Sequence, residues 1–122
     1  MRDSPDALLA EARRLLETRS GTLAGAWPRA VALLTRQALE QMLDDLWRWQ
    51  APGAQLASRH AQLLCLGAVL GDEEAARGAR YTWAALSRAC HHHVYELPPT
   101  GEELERLIDS VSVLIQKIQS MV

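Results

Sequence analysis

Hydrophobic residues recur at helical spacing along almost the whole chain. In five stretches, apolar side chains stand three or four residues apart, which places them on one face of an α-helix. Most of the predicted helices end at or near glycine or proline residues, which interrupt the pattern. These helices cover residues 5–18, 28–50, 55–70, 73 to 92 or 93, and 102–119. The pattern predicts an all-α fold, an antiparallel bundle of about five helices.

Composition and length agree with such a bundle. The apolar residues are mainly Ala and Leu, Phe is absent and aromatic residues make up 5% of the chain, a composition that favours helices over strands. With 122 residues, of which 48% are hydrophobic, the chain has enough apolar surface for one core. We therefore expect a single domain spanning residues 1–122.

The overall charge excludes a protein that coats nucleic acid without specificity. The formal net charge is −2, whereas non-specific binding needs many Lys and Arg residues to neutralise phosphates. Any contact with nucleic acid is therefore expected to be local. No signal peptide and no membrane span are predicted, since no apolar run is long enough. Cys65 and Cys90 do not form a disulfide framework, so we expect a cytoplasmic protein with reduced thiols, and Cys65 in the core.

Two helices carry patterns that bear on their surroundings. The second and last helices have wide apolar faces, which favour a homodimer that buries part of them. Arg36, Glu40, Asp44 and Arg48 recur every four residues on another face of the second helix. Such alternating charges are typical of a solvated face. Trp47 and Trp49 on the second helix, and Trp83 on the fourth, are expected to anchor the core or a dimer interface rather than to stack on bases.

Polar chemistry is concentrated in residues 88–96. This segment contains three of the four histidines, together with an arginine, a thiol, a phenol and a carboxylate. In a continuous helix Arg88 and His92 would lie about 40° apart, but Arg88 and His93 about 140° apart. For Arg88 and His93 to face one pocket, the helix must end or unwind near His92, and Pro98 and Pro99 downstream favour such an end.

Three interpretations of this segment compete. In the first, a permanently charged Arg88 holds a phosphate while a histidine moves the proton of a 2′-hydroxyl, which cleaves a phosphodiester without a metal. In the second, Cys90 and His93, with Glu96 or His92, bind a transition metal such as zinc. In the third, the imidazoles and the neighbouring tyrosine only cap the end of a helix.

The spacing of Arg88, His93 and Tyr95 resembles the Arg-x4-His-x-Tyr motif of HEPN toxins. HEPN domains are helical ribonucleases and nucleotide-binding modules, and they carry this motif between the penultimate helix and a final amphipathic helix, as here. Residues 36–43 also resemble an early HEPN helix that often reads Gln-Ala-x-Glu-x-x-Leu. In architecture the resemblance covers residues 27–118, but the sharp motif is only eight residues long.

The resemblance implies a fold and a set of roles. It implies a HEPN-like homodimer that cleaves or binds RNA without metal or cofactor, as a bacterial toxin or defence component that an antitoxin protein neutralises. Arg88 would bind the phosphate, His93 would act on the 2′-hydroxyl with His92 as its alternate, and Tyr95 would be a pocket residue and modification target. Arg77 and Arg80, which precede Arg88 on the same helix, are candidates to extend the RNA-binding surface.

One residue departs from the family pattern. HEPN ribonucleases usually have a polar residue, most often Asn, directly after the motif arginine, whereas this chain has Ala89. An amide there would help to orient the histidine or the scissile phosphate. The alternative function is therefore a catalytically inactive helical module for dimerisation or protein interaction.

Overall fold

The computed structural model describes residues 4–18, 26–91 and 97–121, and every regular element in these ranges is helical. The elements are α1 (Pro5–Glu17), α2 (Trp27–Gln50), a 3₁₀ turn at Ala54–Leu56, α3 (Arg59–Leu70), α4 (Glu73–Cys90) and α5 (Gly101–Gln119). The predicted all-α bundle of about five helices is thus confirmed. Within the same ranges, no helix combines the length and the apolar character needed to cross a membrane.

Short polar side chains determine where four of the helices begin. In each case a side-chain oxygen accepts a hydrogen bond from the backbone N–H three residues later, which satisfies a donor that the helix itself leaves unpaired. These capping residues are Ser4, Ser58, Asp72 and Thr100. In α2, Pro28 lies in the first turn instead, where its missing N–H has no cost.

Helix α5 runs antiparallel to α4, which precedes it in the chain, and to α1. Gly71, with φ of 65°, provides the left-handed residue that ends α3 and allows the chain to turn directly into α4. Asp72 at the start of α4 lies 3.2 Å from the Lys117 ammonium near the end of α5. Asp6 at the start of α1 accepts a hydrogen bond of 3.1 Å from Gln119, also at the end of α5. α5 therefore runs opposite to both α1 and α4 and packs on each of them.

The core is one cluster of buried residues to which all five helices contribute. α2 lies at its centre and packs against α1, α4 and α5. The side chains of α5 that face inwards are Leu104, Ile108, Val111, Leu114, Ile115 and Ile118. The apolar stripes of α2 and α5, from which we predict a homodimer, are thus largely buried within one chain. The homodimer stays a prediction.

Helix α3 corrects two local predictions. It begins at Arg59 and not at Gln55, because Ala57 is extended (φ −69°, ψ 163°) and Ser58 caps a new helix after the 3₁₀ turn. Cys65, predicted in the core, is exposed, and Cys90 is the buried thiol. The buried face of α3 is formed by Leu63, Leu66 and Leu70, and this spacing turns Cys65 outwards even though its neighbours in the sequence are leucines.

The charged ladder of α2 is mostly a network between helices rather than a solvated face. Arg59 of α3 bridges the carboxylates of Asp44 (2.7 Å) and Glu40 (3.4 Å), and it also donates to Gln62 at 2.8 Å. Glu40 in turn lies 3.4 Å from Arg36. These ion-paired side chains are only 21–27% exposed. The prediction of a solvated face was therefore wrong for this part of the ladder, because α3 packs over it.

Candidate functional site

Helix α4 ends at Cys90, two or three residues earlier than predicted. The N–H of His91 donates to the carbonyl oxygens of Ser87 (3.1 Å) and Arg88 (3.2 Å), which closes the last turn. His91 itself has φ −109° and ψ 35°, outside the helical range. The angle of about 140° that a continuous helix would impose between Arg88 and a residue five positions later therefore does not apply.

Most of the predicted catalytic residues lie beyond this end. His92, His93 and Tyr95 fall outside the described residues, as does Glu96 of the metal hypothesis. Arg88 lies in the last turn of α4, and its side chain is exposed. The site can therefore be described from its arginine side.

Arg88 lies on the wall of an open groove between α4 and α5. The groove has a volume of about 630 Å³, within the range of pockets that hold small ligands, roughly 300–1,000 Å³. Its floor and walls combine aliphatic and polar groups. The polar and aromatic residues along it are Tyr81 and Arg88 from α4, and Glu103, Arg106 and Ser110 from α5.

The charges along this groove favour an anionic ligand. Arg88 and Arg106 lie on opposite walls and are exposed. Neither forms an ion pair with another residue in the described part of the chain. Glu103 contributes one carboxylate against these two guanidinium groups. An arginine that has no carboxylate partner remains available to bind a phosphate in a bidentate manner.

The other two predicted RNA-binding residues lie on different sides of α4. Arg77 is exposed and is separated from Arg88 by about 20° around the helix axis. Arg80 is turned towards α3, where it donates to the Glu73 carboxylate at 2.9 Å and to the Leu63 carbonyl oxygen at 3.3 Å. Arg77 thus continues the side of α4 that carries Arg88, and Arg80 connects α4 to α3.

The opposite side of α4 is packed against α2. The guanidinium of Arg36 lies 5.5 Å from the centre of the Trp83 ring, a distance typical of a cation–π contact. Burial raises the pKa of the Cys90 thiol, and the nearby Arg36 opposes that rise only in part. A buried thiol with a raised pKa is a poor nucleophile. Cys90 is therefore a packing residue behind the groove.

Ala89 forms part of the groove and is buried. At this position the HEPN ribonucleases that the motif resembles usually have an amide, and here the surface of the groove is a methyl group. For the metal hypothesis, the described residues contain no group of three His, Cys, Asp or Glu side chains arranged to hold an ion.

Four polar or aromatic groove residues were not predicted from the sequence: Tyr81, Glu103, Arg106 and Ser110. Tyr81 could have been found, because it lies four residues after Arg77 and seven before Arg88 and so shares their helix face. Arg106 lies on another helix, and its proximity to Arg88 depends on how α4 and α5 pack. No protein family, curated protein or solved structure matches this chain. The likeness to HEPN domains therefore rests on the motif residues and on the order of the helices.

Proposed function

We propose that this chain is a HEPN-type, metal-independent endoribonuclease or RNA-binding domain that acts as a toxin or defence component. The observation that supports it most is the position of Arg88. It lies exposed and without an ion-pair partner among the described residues, on the wall of an open groove. The helix ends two residues later, and the histidines and tyrosine of the motif follow directly in the sequence.

The proposed chemistry needs one fixed cation and one group that transfers a proton. The guanidinium of Arg88 binds the non-bridging oxygens of the scissile phosphate and stabilises the negative charge that grows on them. His93, or His92 in its place, accepts the proton of the 2′-hydroxyl. The 2′-oxygen then attacks phosphorus as the bond to the 5′-oxygen breaks, which leaves a 2′,3′-cyclic phosphate and a 5′-hydroxyl that takes up a proton.

Partners follow from the same proposal. A homodimer would bring the Arg88 groove of each subunit to one cleft, and an antitoxin protein would control the site, with Tyr95 as a target for modification. The largest apolar stripes of α2 and α5 are buried within the chain, so the dimer interface would use other surfaces. Exposed large apolar side chains among the described residues, apart from those that line the groove, are Leu33, Trp49, Leu56, Leu64 and Val113.

The test is cleavage of cellular RNA by the purified protein in the presence of EDTA. We expect Arg88→Ala and His93→Ala to lower the cleavage rate by roughly 100-fold or more, because each removes a group that acts in the transition state. Arg48→Ala is the matched control, since Arg48 is an exposed arginine that lies 3.4 Å from Asp45 and does not line the groove. Circular dichroism of each variant checks the fold.

The alternative is an inactive helical module for dimerisation or protein interaction, and Ala89 is the observation that favours it. A buried methyl group provides no hydrogen bond where the resembled enzymes have an amide. If the folded wild type leaves RNA intact under all conditions, the ribonuclease proposal fails and the interaction module replaces it. Cleavage that is unchanged in Arg88→Ala and His93→Ala would instead indicate a contaminating nuclease.

A further inference from the structure

Tyr81 is an aromatic residue without an obvious structural role. Its side chain is 68% exposed, more than the intermediate burial that is common for tyrosine. It lines the groove between α4 and α5 together with Arg88 and Arg106. An exposed ring beside cationic side chains is the arrangement with which proteins hold the bases and phosphates of single-stranded nucleic acids.

The exposed cationic and aromatic residues of α4 and α5 are arranged in a line along the two helices. Arg77, Tyr81 and Arg88 lie on one side of α4, and the distance along the helix from the first to the last is about 16 Å. Since α5 runs antiparallel to α4, Ser110 lies near Tyr81 at one end of the groove, and Glu103 lies near Arg88 at the other. Arg106 lies between Ser110 and Glu103 on α5, so its place along the groove is between those of Tyr81 and Arg88.

We propose that the face formed by Arg77, Tyr81, Arg106 and Arg88 is a binding track for single-stranded RNA, in which Tyr81 stacks on a base and the arginines contact successive phosphates. This inference rests on the proposed function, because it names the substrate class of the same site. Tyr81 and Arg106 are binding residues that lead the strand to Arg88. Arg80 is not part of the track, since its guanidinium is bonded to Glu73 and Leu63.

The track fits a single strand better than a duplex. In a double helix each base is stacked between its neighbours, so no base face is accessible to the Tyr81 ring. A-form RNA is bound mainly through its backbone and 2′-hydroxyl groups over a wide surface. The low net charge of this chain does not provide that surface. A few local cations and one aromatic platform are sufficient for a short single strand.

The direct test measures binding separately from cleavage. Fluorescence anisotropy with a labelled RNA of about 12 nucleotides, its 2′-hydroxyls methylated so that it cannot be cut, is compared with the same strand in a duplex. We expect the single strand to bind at least about tenfold more tightly. Tyr81→Ala should weaken its binding about tenfold, the usual effect of losing one stacked base.

Matched variants distinguish the contribution of ring stacking from that of side-chain size, and the contribution of charge from an effect on the fold. Tyr81→Phe keeps a ring and should bind like the wild type, whereas Tyr81→Leu keeps apolar bulk and should resemble Tyr81→Ala. Arg106→Ala should weaken binding and reduce the salt dependence by about 0.7 in the logarithmic slope, the value for one phosphate contact to a single strand. Glu103→Gln should tighten binding, and Arg48→Ala should leave it unchanged.

The outcomes distinguish this inference from the proposed function. Single-strand binding that depends on Tyr81 and Arg106 in a protein that never cleaves RNA would support the track and overturn the ribonuclease. Cleavage that needs Arg88 but is indifferent to Tyr81→Ala and Arg106→Ala would overturn the track alone. A wild type that binds no single strand, or that binds the duplex equally well, would also overturn the track, and the cationic groove would then favour an acidic protein segment.

Discussion

Arginines in two parts of this molecule have opposite surroundings. Between α2 and α3, Arg59 is about four-fifths buried and bonded to Asp44, Glu40 and Gln62. Between α4 and α5, Arg88 and Arg106 are exposed and have no carboxylate partner within the described residues. A partly buried charge costs folding free energy unless it is paired, whereas an exposed one is satisfied by water. The comparison suggests that the first group serves stability and the second serves a ligand.

The network also satisfies groups of the turn before α3. Gln62, which is 3% exposed, accepts from Arg59 and donates to the carbonyl oxygens of Ala54 (2.9 Å) and Ala57 (3.4 Å). Its buried amide thus holds the 3₁₀ turn against α3. Within the described residues, the arginine side chains of the groove have no comparable set of bonds, so their replacement leaves no buried group there unpaired.

The strongest test of the comparison replaces one arginine from each region. We expect Arg59→Ala to lower the free energy of unfolding by about 2 kcal/mol. The Asp44 carboxylate and the Gln62 amide oxygen would lose the donor that Arg59 provides, and Glu40 would keep its ion pair with Arg36 alone. Arg88→Ala should change it by less than about 0.5 kcal/mol. Urea unfolding followed by circular dichroism measures both. Arg59→Met, which keeps the aliphatic stem, separates loss of packing from loss of charge.

If Arg59→Ala and Arg88→Ala lowered the free energy of unfolding by the same amount, the two regions would not differ in role. A similar loss in Arg88→Ala would show that Arg88 supports the end of α4. It would also make loss of cleavage in that variant uninformative about chemistry.

A second test compares the two cysteines, one exposed and the other buried. Cys65 is exposed on α3, whereas Cys90 is buried near Arg36 with a raised pKa. At neutral pH, alkylation of Cys90 should be at least about 100-fold slower than that of Cys65, because its thiol must first be exposed by opening of the bundle. Peptide mass spectrometry after timed labelling measures both rates. Equal rates would mean that α4 separates readily from α2, and labelling in urea serves as the unfolded control.

The smallest effect concerns an exposed ion pair at the other end of α4. The hydrogen bond from the Ala75 N–H, and then the neighbouring Lys117, lower the pKa of the Asp72 carboxyl. The unfolded chain therefore binds a proton at this residue more readily than the folded one. The stabilisation is present above about pH 4, near the ordinary pKa of aspartate, and is lost as the pH falls through the lowered value.

Asp72→Asn isolates this contribution, since asparagine is also a good helix cap. We expect the stability of the variant to fall less than that of the wild type between pH 7 and pH 3, as measured by thermal unfolding. An identical decline in both proteins would show that the carboxylate charge contributes nothing. It would also support the view that exposed pairs, unlike the Arg59 network, have little effect on stability.

The sequence was sufficient for the fold because the signals that determine it are local. Apolar spacing, capping residues and glycine or proline breaks identified all five helices. The errors occurred where tertiary packing decides the outcome. Arg36, Glu40 and Asp44 have the spacing of a solvated ladder, and only the packing of α3 over them makes them a network. Cys65 lies among leucines, yet the rotation of α3 exposes it.

The candidate site was predictable in part. Arg88 stood out because it begins a dense polar segment, and Pro98 and Pro99 indicated that α4 ends upstream of them, although its last residue is Cys90 and not His92 or His93. Arg106 could not be predicted as a site residue, because the sequence around it does not indicate that this part of α5 packs opposite Arg88. The positions of His93 and Tyr95 fall outside the described residues, so their roles stay predictions.

The place of α5 in the chain has a consequence for synthesis on the ribosome. This helix is synthesised after the other four, and it supplies both part of the buried core and one whole wall of the groove. Until it has been released and has docked, α1, α2 and α4 present apolar surface that chaperones can bind. A nascent or truncated chain without α5 has an Arg88 but no groove. The groove therefore forms only after α5 has emerged from the ribosome, so the ribonuclease activity that we propose would be delayed until that point.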